Sequence, residues 1–424
     1  SVDLELVLNV LDTEYLSAYD RENTQLSIPM QRPIKSVPKK AYYELPPDEP
    51  VVGRARLIWG NVLGDFRNRE AQMALRALAD TLCGSNQSPL KRALLSAKLA
   101  QDVRISLMDG IQQPVAILEV RNMDESCIAA VENTVQSELK RLCHEGLDHE
   151  QLAAVLANYE FQMRERDYGS MPQGLGFSMD ILDSWLYGGD PMMHLEYEDT
   201  FAALKKGADS GYFEGLIRTY LLDNPYEAVV IASPKKNLAA RIEEQTAKKL
   251  KEYKDSLSKE EIETLVRQTK ELKEYQDTPS PKEDLEKIPM LTREEIGREP
   301  AKLIFEETKL DGITVVRHNM FTSGIGYLKV LFNTDRIPME DLPYLGLLKS
   351  VLGYVDTKNY SYSDLSSEIF LNSGGISFSV TSYPDLTKAG SFTGVFVCSA
   401  RVLYEKLDFG FEILEEILNR SVLD

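Results

Sequence analysis

Two of the chain's four histidines fall in the stretch RLCHEGLDHEQLAAVL, residues 141–156, beside the carboxylates Glu145, Asp148 and Glu150. Imidazoles next to carboxylates are the raw material of a zinc site, and a helical zinc peptidase site sets its histidines at i and i+4 with a glutamate between as general base. His144 and His149 are five apart. At about 100° per residue they are turned roughly 500° from one another on a helix, so they do not share a face. The reversed order, H-x-x-E-H, fails too, because Glu145 follows His144 directly. Gly146 reads as a helix break and Asp148 as the N-cap of a new helix. The spacing predicts a helix–turn–helix corner with solvated histidines. A non-catalytic metal held by His144, His149 and Glu145 is the alternative left open.

Other chemistry-bearing residues are sparse. His194, in PMMHLEYED, has Glu196 and Glu198 nearby but no second histidine, and reads as a surface or packing residue. His318, in VVRHNMF, reads as structural on a strand. GLGFS at residues 174–178 lacks the third glycine of a dinucleotide-binding turn and reads as a loop. Neither a phosphate-binding G-x-x-x-x-G-K-[ST] nor a serine-hydrolase G-x-S-x-G occurs. Cys83, Cys127, Cys143 and Cys398 form no C-x-x-C pair, which fits reduced thiols in a cytoplasmic compartment rather than a disulfide framework or zinc knuckle.

The 424 residues suffice for about two or three domains. With 43% hydrophobic and 27% charged residues the composition is that of an ordinary globular chain. A formal charge of −19 argues against a nucleic-acid partner, which needs a basic face, and is compatible with basic peptides. No apolar run is long enough for a membrane span, and no signal peptide opens the chain. Both ends read as cut within helical patterns.

The elements that must position these residues follow from periodicity. Residues 1–29 read as a helix with Leu4, Val7, Leu8 and Leu11 on one face, and PMQRPIKSVPKKAYYELPPDEP as a crossing too rich in proline for a regular element. Next come a strand (51–62), a helix (68–82), a short helix led by Pro89, two strands (103–108 and 114–120) turning at Asp109 and Gly110, and a long helix from Glu125 to Leu142. The same order returns: a strand (324–333), a helix (341–353), a short helix led by Ser361, two strands (374–380 and 391–400), and a closing helix. An internal duplication of an α+β module is the reading, each module an antiparallel sheet packed with helices. Between them lies a charged segment, residues 233–276, with apolar stripes Leu238, Ile242, Leu250, Tyr253 and Ile262, Leu265, Thr269, Leu272. Ser258 and Glu261 make a capping box, so the segment reads as a long helical hairpin, either spacer or hinge, followed by the proline-rich tether DTPSPKEDLEKIP.

One ordered series is specific: WLYGGDPMMHLEYEDTFAALKK, YFEGLIRTYLLDNPYEAVVIASPKKNL, LSKEEIETL, TKELKEYQ and DLEKIPMLTREEI. With NQSPLKRALL and YLSAYDRE it resembles the insulinase/pitrilysin-type zinc metallopeptidases (inverzincins), in the branch of presequence protease and falcilysin. The likeness covers nearly the whole chain. It implies a clamshell of four related α+β domains around a closed chamber in which unfolded peptides are cut, with zinc on an H-x-x-E-H helix of the first domain. This chain has no H-x-x-E-H. The resemblance divides it into a tail of the first, catalytic domain (1–29), a second domain (30–233), a hairpin hinge (234–291) and a truncated third domain (292–424).

The family's zinc helix follows a proline, and in the third domain that proline corresponds to Pro343. The positions of histidine, glutamate and histidine are then Tyr344, Leu347 and Leu348, which offer no nitrogen ligands, and the helix reads as core-facing. The resemblance therefore implies a non-catalytic chamber wall and hinge, with zinc in the parent protein and none in this chain. Its implied partners are peptide substrates and the absent first and fourth domains, with no nucleic acid or membrane. An inactive peptide-binding or scaffold subunit is the alternative.

Overall fold

The computed structural model describes residues 3–20, 22, 28–34, 37–288, 290, 292–294, 296–299 and 302–423. The first helix, α1 (Leu4–Val10), starts at Asp3, whose side chain accepts from the Glu5 and Leu6 amides, and it continues as tighter and wider turns to Ala18. Tyr19 is extended. The expected helix to residue 29 is therefore shorter; residues 21 and 23–27 lie outside the described residues.

The proline-rich crossing contains a strand, which corrects the sequence reading. β1 (Lys39–Leu45) spans KKAYYEL, the stretch free of proline between Pro38 and Pro46. Then follow β2 (Ala55–Val62), α2 (Arg69–Cys83), α3 (Pro89–Ser96), β3 (Asp102–Met108), β4 (Val115–Met123), α4 (Ile128–Glu145), α5 (His149–Glu165), α6 (Gln173–Trp185), α7 (Glu198–Ala208), α8 (Tyr212–Leu216) and β5 (Glu227–Lys236). The sheet order is β1-β5-β2-β4-β3, antiparallel throughout except for the edge pair β1–β5. Strict alternation along β2 sends Ala55, Leu57, Trp59 and Asn61 to one face, where α2, α3, α4, α5, α7 and α8 close a core around Leu57, Leu78, Val120 and Phe213. The opposite face, carrying Arg56, Ile58 and Gly60, is half-exposed.

GLGFS also departs from expectation, since it opens α6 rather than forming a loop. Gly176 is needed there because the Tyr168 ring comes so close that a Cβ would lie 2.7 Å from it.

Beyond β5 the chain forms α9 (Leu238–Ser256) and α10 (Lys259–Asp277), joined by a bend at Leu257 and Ser258. The capping box forms both ways: the Glu261 amide donates to the Ser258 hydroxyl, and the Ser258 amide to the Glu261 carboxylate at 2.8 Å. No described residue of either helix is buried, so the apolar stripes face outward. The tether includes a single turn, α11 (Lys282–Leu285), and leads to a hairpin of β6 (Glu306–Leu310) and β7 (Ile313–Arg317) around Asp311 and Gly312, both at positive φ.

The second module runs β8 (Ile325–Asn333), α12 (Leu342–Val351), α13 (Tyr362–Asn372), β9 (Gly375–Pro384), β10 (Phe392–Leu403) and α14 (Leu407–Arg420). Its sheet, β8-β10-β9, repeats the neighbour order β2-β4-β3, and a 3₁₀ turn follows the matching strand in both modules, β4 ahead of α4 and β10 ahead of α14. The fold is α+β, with two repeated sheet-and-helix modules joined by the helical hairpin. The smaller core gathers Leu365, Cys398, Ala400, Ile413, Leu414 and Ile417.

The modules touch through α5. Glu165, 9% exposed in its side chain, accepts from Arg401 of β10 and from the Tyr327 hydroxyl of β8, each at 2.9 Å. One turn earlier, buried Phe161 packs on Gly374 so tightly that a Cβ there would overlap the ring.

Candidate functional site

The helix corner forms as its spacing predicts. Gly146, at φ 92°, ends α4, and the Asp148 side chain accepts from the Gln151 amide to start α5. His144 sits in the last turn of α4 and His149 begins α5. Glu145 pairs with Arg141, and His149 Nδ1 lies 3.5 Å from Asp209, just past α7, both side chains well exposed. Among the described residues no group of three or more His, Cys, Asp or Glu is placed to hold a metal ion. His144 instead borders a shallow cavity with Lys140, Cys143, Arg218 and Asp223.

α12 presents the second candidate set. Tyr344 and Leu347 are 65% and 64% exposed, while Leu345 and Leu348 pack against the small core. The helix is thus core-facing along one edge only, which corrects the sequence reading. No nitrogen, thiolate or carboxylate stands at the three positions, so they do not fit a zinc ion.

His194 is a packing residue, 5% exposed, with no hydrogen-bond partner at Nε2. Burial, then the positive charge of Arg69, pulls its pKa down to about 4. His318 lies just past β7, exposed, with Nδ1 2.9 Å from the Ile304 carbonyl. The four cysteines are free. Burial pushes Cys83 up to about 12 and Cys398 to about 11 and raises Cys143, which works against thiolate nucleophiles.

Sequence reasoning missed the densest charge cluster, on the face of the five-stranded sheet opposite the helix-packed core. Glu119 of β4, side chain 7% exposed, receives Arg104 at 2.7 Å, Arg121 at 2.9 Å and Arg56 at 3.4 Å. Burial pushes the Glu119 carboxyl up, but hydrogen bonds and charge from Arg121 and Arg104 outweigh it, leaving the pKa below the ordinary value. Arg56 also stacks over the Tyr43 ring, 5.0 Å from its centroid. Register assembles the group, since Arg104 lies opposite Glu119 across β3–β4 and Ile58 opposite it across β2–β4. The alternation of Arg104 with Val103 and Ile105 was the available signal; the partner strands were not legible.

Comparison with known proteins ties the whole chain together. A family model described as "Peptidase M16 inactive domain" matches residues 1–159, and a model of the domain associated with the C group of the same peptidases matches residues 233–424. Protein HypA of Clostridium perfringens is 34% identical over 423 residues, covering 100% of this chain and 44% of that protein. Presequence protease 1, chloroplastic/mitochondrial, of Arabidopsis thaliana is 31% identical over 313 residues, covering 73% of this chain and 29% of that protein. The chain spans less than half the length of these relatives. The crystal structure of a protease from Helicobacter pylori aligns with a TM-score of 0.43 at 15% identity, covering 55% of this chain and 53% of that one. Matched on both sides of its hairpin by models of one family, the chain belongs to the M16 peptidases, in the group that includes the presequence proteases.

Proposed function

We propose that this chain is the non-catalytic central portion of a zinc metallopeptidase that degrades unfolded peptides inside a closed chamber, and that it supplies chamber wall and hinge. The observation that carries the reading is the pairing of a repeated α+β module with a repeat whose helix α12 bears Tyr344, Leu347 and Leu348 where the family's zinc helix would bear its ligands. These three positions offer a metal ion no nitrogen, thiolate or carboxylate ligand. The hinge assignment is supported by α9 and α10, which have no buried residue among those described and which link the two modules. Zinc, peptide substrates, and first and fourth domains belong to the parent protein in this reading, and the cytoplasm is its compartment.

The test compares the chain with the native protein from its source. The chain incubated with zinc is expected to leave an unstructured peptide intact, while the native protein is longer, carries H-x-x-E-H upstream and loses activity to a chelator. Zinc-dependent hydrolysis by the chain alone would overturn the reading. A native protein beginning near Ser1 would leave the inactive scaffold instead.

A further inference from the structure

Three guanidinium groups converge on one carboxylate on the sheet face opposite the helix-packed core. Arg56, Arg104 and Arg121 surround Glu119, a local surplus of two positive charges in a chain whose formal charge is −19. The neighbouring Asp102 does not offset it, because Lys91 pairs with that carboxylate at 2.8 Å. The forks are reachable from solvent: the Arg104 side chain is 51% exposed, that of Arg56 39% and that of Arg121 28%, while Arg56 Nε and Arg121 Nε are buried without a partner. Beside the cluster, Ile58, Ile117 and Val230 face the same side and are only half-buried.

From this arrangement we infer that this sheet face is a docking surface for an acidic segment of an unfolded peptide, with an Asp or Glu side chain received by Arg56, Arg104 and Arg121 and flanking apolar side chains laid on Ile58, Ile117 and Val230. This rests on the chamber-wall reading and deepens it by naming the substrate chemistry the wall favours. The buried Glu119 orients the three forks, and the incoming carboxylate meets their exposed edges, that of Arg104 foremost. Charge complementarity selects the occupant. A basic peptide, which net charge alone would favour, is repelled at this face, since the surplus lies well within a Debye length of about 8 Å.

The experiment is fluorescence anisotropy of the chain with a labelled unstructured peptide carrying an Asp-Glu pair among apolar residues, beside its Asn-Gln twin. The acidic peptide is expected to bind about tenfold tighter than the twin at low salt, with the difference shrinking as salt rises. Arg104→Gln, at a half-exposed position, removes most of that difference, whereas Arg141→Gln on α4 leaves it in place. Equal binding of both peptides would overturn the inference and leave the chamber-wall reading standing. Binding of neither would remove peptide contact at this face and count against both. If Arg104→Gln changes instead the self-association of the chain, measured by sedimentation without peptide, the face is an interface between copies and the inference fails.

Discussion

A buried imidazole with an unpaired ring nitrogen makes stability depend on pH in one direction. His194 has a folded-state pKa of about 4, below its ordinary 6.5, so between those values the unfolded chain binds more protons than the folded one. Stability is expected to fall as pH drops from 6.5 toward 4, with His194→Gln flattening that slope in denaturant titrations. Glu119 acts in a second window. Its folded pKa lies below the ordinary 4.5, so its contribution is complete above 4.5 and is lost as pH falls through the folded value. Glu119→Gln should shift the acid-unfolding midpoint without altering the slope above pH 5. Neither residue announces this in the sequence: His194 reads there as either a surface or a packing residue, and the arginines of Glu119 come from three strands.

At the scale of elements, the capping box at Ser258 is the feature most directly tied to local sequence. Ser258→Ala should destabilise the start of α10 by about 1 kcal/mol. Because α10 has no buried residue, amide hydrogen exchange should speed up in its first turn while the melting temperature barely moves. Elements like this were legible because their signals are contiguous: Ser258 to Glu261, Gly146 ahead of Asp148, Pro89 at the first turn of α3. Illegible elements were decided by distant partners. KKAYYEL becomes a strand through parallel pairing with β5, some 190 residues away. The glycines of GLGFS look like loop residues until the ring of Tyr168 explains Gly176. α12 reads as core-facing from its leucines, yet the three-stranded sheet covers only the edge that carries Leu345 and Leu348.

For the whole molecule, the junction between modules centres on α5 and is testable at single residues. Glu165→Ala leaves the Tyr327 hydroxyl without its partner and Arg401 holding only the Gly374 carbonyl, and should cost about 2 kcal/mol, appearing as a separation of the two modules' unfolding transitions. Gly374→Ala forces a methyl into the Phe161 ring and should cost about 1–3 kcal/mol, with Phe161→Leu restoring part of the loss in the double variant. The pairing of Glu165 with Arg401 spans 236 residues, beyond anything periodicity can reveal. The two outward-facing helices carry one more consequence. Each has 19 residues, so each is a rod about 28 Å long. A swing of about 10° at the root of such a rod carries its tip through an arc of about 5 Å. A slight tilt where α9 leaves β5 is thus geared up into a displacement as long as a helical turn, and Asn237, held in the left-handed conformation between the two, is the fulcrum where that motion can be stiffened or freed.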